Sequence, residues 1–137
     1  MNNFLKTKKA RAMGEKYFYN KNNYHKAIIH FKRTINNKNK YFANDEEILR
    51  KISKSYLYLS DNYDNNREYY LSKAILYIDE SLRVSSWYLK AIELKLEILQ
   101  EIWNNAEIIK TKKVIQDMLL KVKNQEVDLD KFYWEIS

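Results

Sequence analysis

The chain has 137 residues and a formal net charge of +7, is 45% apolar and 31% charged, and contains no cysteine, no proline and one glycine. That composition is ordinary for one globular domain with a real core, and it excludes thiolate metal sites, redox-active cysteines and a disulfide framework. No apolar run approaches the roughly 20 residues that span a bilayer, and the start, Asn2, Asn3, Phe4, Leu5, Lys6, lacks the apolar centre of a signal peptide, so a cytoplasmic protein, or else a nuclear one, is expected.

In chain order the apolar residues fall into stripes of helical period, interrupted by asparagine clusters. Ala10, Met13, Gly14, Tyr17 and Phe18 share one helix face, Asn20, Asn22 and Asn23 follow, and Tyr24, Ala27, Ile28, Phe31 and Ile35 form the next face. Asn36, Asn37, Asn39 and Asn44 precede a third stripe, Ile48, Leu49, Ile52, Tyr56 and Leu59. Asn62, Asn65 and Asn66 separate it from Tyr70, Ala74, Ile75, Ile78 and Leu82. Tyr88, Ile92, Leu96 and Leu99 then lead through Asn104 and Asn105 to Ile108, Ile115, Leu119 and Val122. Asparagine tolerates the left-handed conformation at helix ends and caps helix starts, so these clusters serve as boundaries in a chain nearly without Gly and Pro.

The predicted elements are six helices, near 3–20, 23–36, 45–60, 67–84, 86–103 and 106–123, with a short tail helix near 128–136. Asn44 with Glu47 three residues later reads as a capping box. Short connections at 20–23 and 103–106 make antiparallel neighbours, so the helices pair as hairpins over 3–36, 45–84 and 86–123 within a single domain, 1–137. In the tail, Leu129, Phe132, Tyr133 and Ile136 share a face, and residues 126–137 are expected to cap the last hairpin.

The spacing from Ala74 to Ile108, equivalent points in the second and third hairpins, is 34 residues. Gly14, Tyr17, Tyr24, Ala27 and Phe31, then Ser53, Tyr56, Ala74, Ile78 and Ser81, stand much as the small and aromatic residues of the tetratricopeptide repeat do, whose period is also about 34 residues. Over residues 7 to 122 the chain therefore resembles a small three-repeat tetratricopeptide protein. The resemblance implies an all-α fold, a right-handed superhelix of three antiparallel helical hairpins with a C-terminal capping helix. The same stripes would also build an unrelated six-helix bundle with asparagine-rich loops.

Chemistry-bearing constellations are sparse. His25 and His30 lie five apart, on different sides of a helix, and do not make the i, i+4 pair of a helical zinc site. Glu93, Glu97 and Glu101 line one helix edge without the His of a helical di-iron motif, so a solvated face is expected. One glycine cannot build a phosphate loop. The chain reads as a non-enzyme, with no cofactor and no metal.

Charge is uneven. Residues 1–43 carry eleven Lys or Arg against Glu15 alone, a net +10, and the remainder carries 14 basic and 17 acidic residues, a net −3. A block this basic attracts acidic peptides or nucleic acid. The resemblance implies that the first helix of each hairpin lines a concave groove for a partner's peptide or helix. That places Lys8, Arg11, Phe18, Arg50, Lys51, Lys54, Tyr58 and Lys90 in a basic peptide-binding groove, with Glu15, Glu93 and Glu97 beside them. The chain is loosely similar to co-chaperone domains of the family, in which a clamp of Lys and Asn side chains holds a peptide carboxylate. Arg11 and Lys90 match clamp cations, whereas Glu15 and Lys51 stand where the family has Asn, and Leu94 replaces a basic residue.

The expected function is a protein-interaction adaptor or scaffold with an acidic protein or peptide partner. Two alternatives stay open: nucleic-acid binding by the basic first hairpin, with Tyr17, Tyr19 and Tyr24 as stacking surfaces, and a homo-oligomer formed through the C-terminal tail.

Overall fold

The computed structural model describes residues 3–36, 45–62, 64–102 and 105–123. Among them the chain is all-helical: α1 (Asn3–Glu15), α2 (Tyr24–Asn36), α3 (Glu46–Asn62), α4 (Arg67–Val84), α5 (Leu89–Ile102) and α6 (Asn105–Lys123). The predicted tail helix, Asn37, Asn39, Asn44 and Asn104 lie outside the described residues.

The helix ends show the asparagine and aspartate chemistry that their sequence calls for. Beyond α1 the backbone widens into a π-helical turn, Lys16–Asn20. Asn22 then takes the left-handed conformation, φ 48°, and the Asn23 amide donates to the Tyr17 carbonyl at 3.0 Å. That bond spans six residues, one more than the usual helix-ending motif, and the extra residue is taken up by the π turn. Asn23 Oδ1 also accepts from the Lys26 amide at 3.2 Å, so one asparagine closes the first helix and caps the second. At α3 the cap is Asp45, whose Oδ1 accepts from the Glu47 and Ile48 amides at 2.9 and 3.1 Å.

Between α4 and α5 the structure departs from the predicted boundary. Ser85 is extended, its amide bonded to the Ser81 carbonyl, and Tyr88 N donates to Ser85 O at 3.3 Å. The Tyr88 carbonyl accepts from the Ala91 and Ile92 amides, so α5 starts at Leu89 and not at 86. Likewise a 3₁₀ turn, Asp64–Asn66, leads into α4.

Each helix touches the next along the chain, and α3 meets α5 as well. One core runs from Phe18 in the π turn to Ile98 in α5, with Phe31, Ile48, Ile52 and Ile78 among its members. Helix α3 is its centre: from Ile48 to Ser60 every residue is buried except Arg50, Lys54 and Tyr58. Its small residues allow that. Ser53 Oγ donates to the Ala74 carbonyl at 2.6 Å, while Ser55 and Ser60 donate to carbonyls within their own helix, Lys51 and Leu57. Ser81 Oγ reaches the Glu46 carbonyl at 2.8 Å. The predicted α3 stripe is buried in full.

Helix α6 is different. It is held through a smaller cluster in which Ile92 and Met118 are buried, with Leu82, Trp87, Leu89 and Ile115 around them. Its buried residues are Thr111 and Met118, whereas Leu119 of the predicted stripe is 52% exposed. With one covered side, α6 buries a narrower strip than its apolar residues would fill.

The single glycine has a steric reason. A Cβ on Gly14 would stand 2.6 to 3.0 Å from three ring carbons of Phe31, a fully buried side chain. Gly14→Ala is therefore expected to destabilise by about 1–3 kcal/mol of overpacking, exceeding the roughly 1 kcal/mol that alanine's helix propensity returns. Thermal unfolding should show a Tm lower by several degrees. Combined with Phe31→Leu, its cost should be smaller than in the native background.

Candidate functional site

Two recesses open along α3. The first, about 310 Å³, is lined by Phe18, Tyr19, Asn22, Tyr24, Arg50, Lys54 and Tyr58. The second, about 280 Å³, is lined by Arg50, Lys54, Lys90, Glu93, Leu94 and Glu97. They share Arg50 and Lys54, which with Tyr58 form the i, i+4, i+8 strip of α3 that the core leaves uncovered. The first recess borrows its other walls from the π turn and the start of α2, the second from α5.

The first recess is aromatic. Tyr24 and Tyr58 stack with ring centroids 4.5 Å apart and planes 23° from parallel. Phe18 meets Tyr24, Tyr19 and Phe31 edge to face. The Lys54 ammonium sits 5.6 Å from the Tyr58 ring centroid, within cation–π range. Burial, and then the neighbouring Tyr58, raise the pKa of the Tyr24 phenol, which stays neutral and within 3.4 Å of Asn22 Oδ1.

Below the strip runs an alternating row of charges. Arg11 bridges Asp45 (3.3 Å) and Glu15 (3.5 Å); Lys51 Nζ is 2.9 Å from Glu15 and 3.7 Å from Glu47; Arg50 takes Glu47 at 2.6 Å. Arg50 Nε also donates to the Tyr88 hydroxyl at 2.8 Å, so the row ties α1 to α3 and α3 to the start of α5. Lys51 is the member taken furthest from water, its side chain 6% exposed, with Tyr19's ring 5.1 Å from its ammonium. Burial pushes the Glu47 carboxyl up, yet its hydrogen bond to Arg50 and the charges of Arg50, Lys51 and Lys90 outweigh that and hold its pKa below the ordinary value.

Of the predicted groove residues, Phe18, Arg50, Lys54, Tyr58 and Lys90 line these recesses together. Arg11 and Lys51 instead belong to the ion row beneath, and Lys8 is exposed on α1, lining neither recess. Glu15 and Lys51 neutralise each other. Sequence reasoning did not place Tyr19, Asn22, Tyr24 and Leu94 at the groove. Tyr19, Asn22 and Tyr24 line it from the π turn, the connection and the start of α2, and no periodicity announces such a turn.

Elsewhere the basic block is spread over the surface: Lys6, Lys8, Lys9, Lys16, Lys21 and Lys26 are exposed, while Lys32 donates to the Tyr56 hydroxyl at 2.7 Å. Tyr17 stacks on His30 and Tyr24 on Tyr58, so these rings already have faces covered. Glu101 pairs with Arg67 at 2.7 Å, and Lys95 with Asp79 at 3.0 Å. Among the described residues no helix is long and apolar enough to cross a membrane, and no group of three His, Asp or Glu could hold a metal ion. Compared with family models, curated proteins and solved structures, the chain matches none.

Two cations three residues apart thus have opposite burdens. Lys51→Glu puts a carboxylate between Glu15 and Glu47 and is expected to cost about 3 kcal/mol or more, the scale of breaking a buried ion pair. Lys54→Glu should leave thermal unfolding nearly unchanged. The depressed Glu47 pKa contributes stability that is present above its unfolded value near 4.5 and is lost as pH falls through the lower folded value. Acid unfolding followed by circular dichroism should show a shallower loss below about pH 4.5 for Glu47→Gln than for the native chain.

Proposed function

We propose that the chain is a non-enzymatic protein-interaction module that receives a peptide or helix of a partner along the α3 strip. In this reading α1 with α2, α3 with α4 and α5 with α6 form antiparallel hairpins stacked as tetratricopeptide-like repeats in a right-handed superhelix. The single observation that carries the function is that the two recesses share Arg50 and Lys54 of α3, the first bounded by the π turn that follows α1 and by the start of α2, the second by α5.

Further features support the architecture. Glu46 meets Ser81 and Ser53 meets Ala74, a pairing that runs in opposite senses along α3 and α4. Gly14, Ala27, Ser53 and Ala74, the small residues of the repeat pattern, are all buried where helices approach. Ile109, Leu119 and Leu120 leave an apolar face on α6, which suits a terminal capping element such as 126–137. Against nucleic acid as ligand, the candidate stacking tyrosines are partly spent on neighbours, and the exposed lysines of the first helices do not converge on the aromatic recess.

A photo-crosslinking side chain at Tyr19, on the rim of the first recess, should capture a partner segment from the native cell, and Lys54→Glu should abolish that capture. The same probe at Leu76, exposed on α4, serves as control. Equal capture at both positions, or capture insensitive to Lys54→Glu, would remove the α3 strip as the binding surface.

A further inference from the structure

The two recesses differ in chemistry although they share a wall. The aromatic recess has two cations, Arg50 and Lys54, and no carboxylate in its lining. The recess toward α5 has Lys90 in addition, but also Glu93 and Glu97, both exposed and one helical turn apart. A uniformly acidic ligand would be attracted to the first and would meet like charges in the second, which costs affinity.

We propose that the groove is divided into two subsites across the Arg50–Lys54 ridge. It selects a peptide in which an aromatic side chain beside a carboxylate enters the first recess while a basic side chain reaches Glu93 and Glu97. This rests on the groove being the binding surface. A recess of about 310 Å³ lies at the lower end of the ~300–1,000 Å³ typical of small-molecule sites, which suits one inserted side chain. Its walls offer a guest ring the exposed side chain of Tyr19 and the edge of Tyr58, suited to the offset and edge-to-face geometries that aromatic pairs favour. Tyr19, 56% exposed and adjoining the buried ring of Phe18, has the most area to lose to such a guest.

The carboxylate has a prepared place. Glu47 and the Tyr88 hydroxyl hold Arg50 in position, so little side-chain freedom is lost when a ligand arrives. Lys54 lies over the Tyr58 ring and can accept a carboxylate without leaving it. On the far side, Glu93 and Glu97 set the limit of the acidic stretch and attract a lysine or arginine.

The test is selection of random linear peptides displayed on phage against the full chain and against a Glu93→Lys, Glu97→Lys variant, whose changes are confined to exposed positions. The native chain should enrich peptides carrying an aromatic residue next to Asp or Glu, with Lys or Arg toward one end. The double variant should keep the aromatic-acidic pair and exchange the basic residue for an acidic one. On synthetic copies, replacing the aromatic residue by alanine should weaken binding about tenfold or more, or 1.4 kcal/mol. Enriched peptides without the aromatic-acidic pair, or identical peptides from both baits, would overturn the two subsites while leaving the groove, provided that Lys54→Glu abolishes their binding. No enrichment at all, or peptides indifferent to Lys54→Glu and Tyr19→Ala, would overturn the groove and the subsites together.

Discussion

The burial of α3 is the constraint from which the other features follow. A helix enclosed by α2, α4 and α5 must satisfy every polar group on its covered sides from within. Three serines do so by donating to carbonyls, and their small size lets the neighbouring backbones come close. What the enclosing helices leave is a strip one residue wide, Arg50, Lys54 and Tyr58. The recesses are the two flanks of that strip, so the candidate site is a by-product of how the core closes.

Lys51 is the exception that the enclosure must accommodate. An ammonium so far from water is tolerable only with close counter-charges, and Glu15 from α1 and Glu47 from its own helix supply them. Each of those carboxylates in turn holds an arginine, Arg11 or Arg50. The row begins at Asp45, which also caps α3, so the start of the central helix, its cap and the contact to α1 are fixed by one set of charges. Arg50 is the end of that row and also the wall of both recesses. Its position at the recesses is therefore set by Glu47 and Tyr88 within the protein.

The helices themselves were largely legible in the sequence, because their ends are written in side chains with a local mechanism. Asn22 and Asn23 end and begin helices by their own geometry, and the α3 stripe of Ile48, Ile52, Tyr56 and Leu59 is apolar enough to be read directly. Ser53 stood among the small residues of the repeat pattern, but the burial of Ser55, Ser60 and Lys51 was not legible: the two serines are satisfied by carbonyls of their own helix, and the counter-charge of Lys51 at Glu15 lies far along the chain. The start of α5 was misplaced because Ser85 and Ser86 carry a weaker stop signal than asparagine. At the recesses, the α3 members followed from what the resemblance implies for the first helix of each pair, while Tyr19, Asn22 and Tyr24 lie in or just beyond a π turn that no periodicity announces.

Burial is unevenly distributed among the described helices, and that matters for the site. Helix α6 rests on a small cluster and exposes Ile109, Leu119 and Leu120, so few buried side chains hold it in place. The groove lies instead on the π turn, α3 and the first half of α5, all of which share the main core. On the proposed reading, a ligand there would meet Tyr58 and Arg50 already held by stacking and by the ion row, and it would not need to order α6. Binding on such a surface would be limited by complementarity more than by folding. The charges that differ between its two flanks, Glu93 and Glu97 against Arg50 and Lys54, would then decide which segment is accepted.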